Sequence, residues 1–333
     1  MRIKTTVVGS YPIPQWFYGQ TSRLTLRDAV LVVLKTQELA GLDVIASGEL
    51  ERFDPSHPET NGMIDYFVRP LAGVQTRYSI SDLEAFRADQ GMSFRKAPAG
   101  IVTAELGEGA LNLPGDFEFL ATLTRLPLKF TCTGPHMLAK TLTDRHYGSA
   151  PKLAMAIAGV LRRQLEQVPA AVVQLDEANI SGHPEDRQWA GEAINHVLDG
   201  IRTERAVHVC FGNYGGQTIQ KGFWRDLLPF LNSLHVNHLV LEFARRGYDE
   251  LPVFRDLDPR IGLGMGVVDI KDNFIETPDL IASRIDNAVR ELGEGRLQWI
   301  HPDCGFWMLQ RSVADGKMRS LVEGRDLFYN RGR

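Results

Sequence analysis

Apolar residues recur along this chain in two alternating rhythms. Short runs rich in β-branched and aliphatic residues occupy residues 4–8, 43–46, 129–132, 171–175, 206–210, 238–241, 261–267 and 297–300. Between most of them lie longer stretches with apolar residues at helical spacing: 26–39, 152–167, 189–202, 224–234, 278–292 and 308–327. This alternation predicts a parallel sheet covered by helices. Eight strand-like runs favour closure into a single (β/α)8 TIM barrel, with an open doubly wound sheet as the second choice. No Gly-x-Gly-x-x-Gly turn follows the first run, which counts against a dinucleotide-binding version of the open sheet. Residues 66–128 break the rhythm and carry a stretch, 96–105, that reads as part of a β-hairpin. An insertion between strands two and three, lying over the barrel mouth, is the expectation. With no internal repeat and no linker, residues 1–333 are expected to form one barrel domain.

Polar residues gather just after the strand-like runs. Glu49 follows the second, Gly134-Pro135-His136 the third, and Asp176-Glu177 the fourth. Asn213 and Tyr214 follow the fifth, Asp269 and Lys271 the seventh, and Asp303-Cys304 the eighth. Barrel enzymes carry their chemistry at this end of the strands. The sharpest local signal is His208-Val209-Cys210. Residues two apart on a strand share a face, so the imidazole and the thiol can address one ion together. Glu242 ends the sixth run, and Cys304 sits in the Pro-Asp-Cys-Gly turn after the eighth. Two thiolates, an imidazole and a carboxylate make a tetrahedral zinc set, and the thiolates favour zinc over magnesium or calcium. Each residue also has a plain alternative. His208 and Cys210 can be core residues, Glu242 can pair with Arg245 or Arg246, and Cys304 can pack in a turn. Cys132 has no ligating neighbours and reads as structural.

Composition narrows the class. The chain has 333 residues, 44% of them hydrophobic, enough for a large core. A net charge of -4 gives no electrostatic footprint for nucleic acid or an anionic membrane. No apolar run is long enough to span a bilayer, and the N-terminus reads as a first strand and not as a signal peptide. Only three cysteines are present, which argues against a disulfide framework and for a reducing, cytoplasmic setting.

Several blocks, weak singly, are specific in this order and spacing: Val8-Gly9-Ser10-Tyr11-Pro12, Gly48-Glu49-Leu50-Glu51-Arg52, Gln174-Leu175-Asp176-Glu177, His208-Val209-Cys210, Leu241-Glu242, Gly266-Val267-Val268-Asp269-Ile270 and Pro302-Asp303-Cys304-Gly305. Over nearly its whole length the chain resembles the C-terminal catalytic barrel of cobalamin-independent methionine synthases, in their short single-barrel form. The resemblance implies zinc at His208, Cys210, Glu242 and Cys304, with homocysteine beside the metal. It further implies that Gly9 and Ser10 take the substrate carboxylate and that Glu49 and Asp176 hold its ammonium. Asp269, Lys271, His136 and His301 are the candidates for protonating a leaving group. The long enzymes of the family have a histidine where this chain has Lys271, and a tryptophan-containing segment where it has residues 134–142; the 54–61 block also looks unlike theirs. Thiol activation is therefore expected, with the methyl donor left open between a methylfolate and a methylcorrinoid, free or on a corrinoid protein. Alkyl transfer to another thiol, such as coenzyme M opening an epoxide, is the first alternative. A non-catalytic zinc-binding partner subunit is the second.

Overall fold

The computed structural model describes residues 2–19, 22–54, 57, 60–88, 95, 97–212, 220–293 and 295–331. Among them run the strands β1 (Lys4–Thr5), β2 (Ala72–Gln75), β3 (Gly100–Gly107), β4 (Lys129–Thr133) and β5 (Leu142–Asp144). They are followed by β6 (Val172–Asp176), β7 (Glu204–Val209), β8 (His238–Leu241), β9 (Gly262–Val268) and β10 (Leu297–Pro302). A curled seven-stranded sheet has the order β1-β10-β9-β8-β7-β6-β4, with every neighbouring pair parallel. Its two edges are joined through residues 43–46. Thr6 bridges Val44, and Ile45 bridges Leu128. The expected second strand is thus reduced to single bridges. Asp43 accepts bonds from the Thr5 amide and hydroxyl, and Gly48 and Glu49 bend the chain at φ 77° and 62°. Extended pairing has no room to lengthen between these two bends. The result is a TIM-barrel-like ring.

The helices follow from their caps and apolar stripes. Ser22 caps Arg23–Ala40, which Gly41 ends in the left-handed region, and Thr277 caps Pro278–Leu292. The six helices expected from spacing are present with ends shifted by a few residues. The region 66–128 is richer than a hairpin. β3 pairs antiparallel with β2 and parallel with β5, forming a separate three-stranded sheet. A helix, Leu113–Ala121, then leads into β4. Since β5 follows the helix Pro135–Thr141, which starts at the C-terminal end of β4, the small sheet is anchored at the end of the barrel where that strand opens.

Strand alternation sorts the interior. Val8, Val44, Val172, Ala206, Val240 and Trp299 form an apolar cluster separate from the large core between strands and helices. Two residues further along the same inward faces come Gln174, His208 and Glu242. The interior therefore changes from apolar to polar along the strand direction. Lys129 is the outlier: it is fully buried and donates to the Val7 carbonyl at 2.8 Å and to Gln174 Oε1 at 2.8 Å. Burial pushes its pKa from 10.5 down to about 7, against Asp176, Glu204 and Glu49, which pull it up. The unfolded chain then binds a proton at this site more tightly than the folded one. Through this group, stability rises as pH climbs from about 7 toward 10.5. Urea unfolding across that window is expected to show this rising component in the wild type and to lose it in Lys129→Met. An identical pH slope in both proteins would refute the assignment.

Candidate active site

The C-terminal ends of β7 and β10 bring three ligand-type side chains together. One ligand atom each from His208, Cys210 and Cys304 lies within 4.8 Å of the others. His208 Nδ1 faces the Val240 carbonyl at 2.9 Å, and a carbonyl only accepts, so Nδ1 carries the hydrogen. Nε2 is then the nitrogen turned toward the thiols, 3.6 Å from Cys304 Sγ, and, against burial, its bond to Cys304 raises the His208 pKa to about 9. Metal-bound histidines are oriented in this way by a partner on the second ring nitrogen. Hydrogen bonding from Cys210, reinforced by His208, holds the Cys304 thiol well below its ordinary pKa, whereas the bond to Cys304 and burial push Cys210 well above. The trio thus concentrates one thiolate charge against a soft donor set, and these donors fit a zinc ion.

Glu242 is buried beside this trio but outside its mutual 4.8 Å group. Its Oε1 accepts from the Phe211 amide at 3.3 Å, and its Oε2 lies 3.9 Å from Lys271 Nζ. Lys271 is itself nearly enclosed and donates to the Gly212 carbonyl at 2.9 Å. Burial raises the Glu242 pKa, with Lys271 opposing.

The turn after β1 meets the turn after β10. Phe306 N donates to the Ser10 carbonyl at 2.8 Å. A methyl group on Gly305 would lie 1.9 Å from Ser10 Oγ, so the glycine beside Cys304 makes space for that hydroxyl. A methyl group on Gly9 would lie 2.1 Å from Glu49 Oε1. Glu49 is the only non-glycine residue with positive φ among the described residues. Such a backbone costs about 1 kcal/mol and persists where the surroundings enforce it. Here Glu49 N donates to Ser47 Oγ at 3.0 Å, Thr131 Oγ1 donates to its carboxylate at 2.7 Å, and buried Arg52 stands 3.5 Å away. Asp176 is buried and accepts from Gln174 Nε2 at 2.7 Å. Burial pushes it up to about 7, His208 acting against this and Glu49 with it. Ser10 thus meets the turn that carries Cys304, Glu49 meets Gly9, and Asp176 is paired with His208 across β6 and β7.

The other candidates lie apart. Asp269 shapes its own turn, accepting from Lys271 N at 2.8 Å and from Arg245 at 3.3 Å. His136 is completely enclosed, with Nε2 3.0 Å from Asp186 and Nδ1 3.7 Å from Glu177. Against burial, these carboxylates raise its pKa. Glu177 also accepts both the His136 and Met137 amides, so this cluster fixes the start of the helix Pro135–Thr141. His301 is buried in the barrel, where burial pushes it down to about 3 and keeps it neutral. Cys132 is fully buried, and burial pushes its thiol up. Asn213 and Tyr214 lie outside the described residues, as do Pro55, Ser56, Pro58 and Glu59 of the 54–61 block.

Sequence placed Asp303 among the polar residues after the eighth run but gave it no role. The buried Asp303 carboxylate accepts the amides of Phe243, Ala244 and Arg245 at 2.9, 2.8 and 2.7 Å. It pins the loop after β8 to the turn after β10, setting Glu242 against Cys304. Its signal is its place at the end of the eighth run, beside Cys304; the three amides it holds lie about 60 residues away and are not marked in the sequence.

Comparison with known proteins gives the family and the fold. Residues 3–325 match the family model described as the cobalamin-independent synthase catalytic domain. The methionine synthase of Sulfurisphaera tokodaii is 29% identical, covering 99% of this chain and 95% of that protein. The methionine synthase of Thermococcus kodakarensis is 28% identical, covering 98% and 93%. The fold is shared by a B12-independent methionine synthase from Shewanella sp. W3-18-1, solved in complex with selenomethionine, at TM-score 0.80 and 21% identity over 99% of both chains. It is also shared by a putative vitamin-B12 independent methionine synthase from Listeria monocytogenes, at TM-score 0.70 and 18% identity over 96% of both. With the family model matched from residue 3 to residue 325, the chain belongs to the cobalamin-independent synthase catalytic-domain family.

Proposed function

We propose that this protein is a zinc-dependent homocysteine S-methyltransferase that makes methionine. The observation that carries the reading is the convergence of His208, Cys210 and Cys304, with Ser10 against Gly305 and Glu49 against Gly9 in the adjoining turns. His208, Cys210 and Cys304 would hold the zinc, with Glu242 the fourth ligand once it turns from the Phe211 amide. Zinc bound there lowers the pKa of a ligated thiol, supplying a thiolate nucleophile at neutral pH. The chain's own groups orient the substrate. The Gly9 amide and Ser10 hydroxyl suit its carboxylate, and Glu49 and Asp176 suit its ammonium. Held at both groups, the amino acid directs its sulfur toward Cys304, next to Ser10. Lys271, beside Glu242, is the residue we assign to protonating the departing donor. The cobalamin-independent family gives a corrinoid carrier no support, and a methylfolate-type donor is the favoured one.

The test is a screen of purified, zinc-loaded protein, crossing homocysteine and coenzyme M with methylfolate, methylcobalamin and an epoxide. Methionine formation from homocysteine and methylfolate is the expected result; turnover confined to coenzyme M would overturn the reading. Glu49→Gln removes one charge partner of the ammonium. Its homocysteine KM is expected to rise by about ten- to a hundred-fold, since bonds to charged groups contribute about 1.5–3 kcal/mol. Zinc content should hold; equal loss of both would assign Glu49 to the fold alone.

A further inference from the structure

A buried polar chain runs through the barrel interior beneath this site. Lys129 Nζ donates to the Val7 carbonyl and to Gln174 Oε1, each at 2.8 Å. Gln174 Nε2 donates in turn to the Val8 carbonyl at 3.0 Å and to Asp176 Oδ1 at 2.7 Å. Val7 and Val8 lie past the end of β1 and lead directly into Gly9 and Ser10. Buried carbonyls need donors, and here both are supplied by interior side chains. Four bonds thus join the two halves of the amino-acid site. One half is the Gly9–Ser10 turn; the other is the Asp176 carboxylate. Both struts are enclosed, Lys129 at 2% exposure and Gln174 at 0%. Their neighbours on the inward faces are Val172, Ala206 and Val240, and a barrel that needed only a filled core would have continued that apolar layer.

We propose that Lys129 and Gln174 are positioning residues that set the distance and angle between the carboxylate-binding turn and the ammonium-binding Asp176. The pair thereby selects thiols that carry an α-amino acid group. This rests on the reading of Gly9, Ser10, Glu49 and Asp176 as the site for that group. Neither residue touches substrate. Lys129 reaches it only through the backbone before Gly9 and through Gln174. Gln174 is the centre of the device, because its amide accepts from the lysine while donating to the carboxylate. Glutamate in its place keeps the shape and the lysine bond but turns an oxygen toward Asp176 and toward the Val8 carbonyl.

The experiment compares zinc-loaded wild type, Lys129→Met and Gln174→Glu by calorimetric titration with L-homocysteine and with 1-propanethiol, which has the sulfur but no amino-acid group. Zinc stoichiometry and thermal unfolding are measured on the same preparations. Each variant is expected to lose homocysteine affinity by about ten-fold or more, the scale of a bond to a charged group, while its propanethiol affinity and zinc content hold. A merely structural role would weaken both thiols together, and that result would overturn the proposal. Unchanged homocysteine affinity in the folded variants would also overturn it. If the wild type itself binds homocysteine no better than propanethiol, the amino-acid reading of the site falls first and the strut with it. Should Lys129→Met fail to fold, Gln174→Glu decides alone.

Discussion

Cys304→Ser is expected to strip the protein of zinc and reduce turnover by roughly a thousand-fold, about 4 kcal/mol of lost rate acceleration at 1.36 kcal/mol per decade. The argument starts from the donor atoms. Cys304 Sγ lies against His208 Nε2 and Cys210, and these neighbours hold it as the site's thiolate. A serine hydroxyl has nearly the same shape but stays protonated, so the site loses both its anionic charge and its soft donor. Cys210 is then the one thiol left beside His208, whose ring is fixed by Val240. One sulfur, one imidazole and Glu242, which already faces the Phe211 amide and Lys271, make a weaker zinc site. Metal analysis of the purified variant alongside steady-state turnover checks both halves. Cys132→Ser is the control: it lies buried outside the trio and should keep its zinc. One zinc per chain and normal turnover in Cys304→Ser would remove Cys304 from the ligand set.

Much of this site was legible in the sequence because strand geometry is strict. His208 and Cys210 are two apart, so one face was implied before any coordinates. The polar residues after successive strands placed the site at one end of the ring. Other features were invisible for identifiable reasons. Residues 43–46 looked like a strand, but the Asp43 bonds to Thr5 and the left-handed backbone at Gly48 and Glu49 are long-range or conformational facts, absent from a hydropathy pattern. The short strands β2 and β5 draw their pairing from β3, which lies 25 or more residues from either neighbour's start. His136, proposed for proton transfer from its position after β4, is instead enclosed between Glu177 and Asp186, partners that approach from a different strand and a later turn. Lys129 and Gln174 carried a signal in plain view, as polar residues inside apolar strand runs. Their meaning depended on the Val7 and Val8 carbonyls turning inward, which spacing alone does not specify.

Asp303→Ala is expected to destabilise the fold by about 3 kcal/mol or more and to weaken zinc binding by about ten- to a hundred-fold. The carboxylate holds three consecutive backbone amides, those of Phe243, Ala244 and Arg245. Alanine would take the acceptor from all three amides, leaving that of Phe243 buried and those of Ala244 and Arg245 partly within reach of water. The loop after β8 would have to move to find solvent, and Glu242 is the residue immediately before it. Cys304 is the residue immediately after Asp303, so the same loss slackens the opposite wall of the site. Gly266 shows how closely the carboxylate is fitted, because a methyl group there would lie 2.1 Å from Asp303 Oδ1. Asp303→Asn separates the two effects. Its remaining carbonyl oxygen can hold Phe243 and Ala244, but its NH2 group faces the Arg245 amide. Asn is therefore expected to recover part of the stability and less of the metal affinity, because the segment carrying Glu242 stays displaced at one end. Chemical denaturation and competition with a zinc-binding dye measure the two quantities independently. If Asp303→Ala unfolds at the wild-type denaturant concentration, the three amides have found other acceptors. The clamp would then not be what aligns the two walls of the metal site.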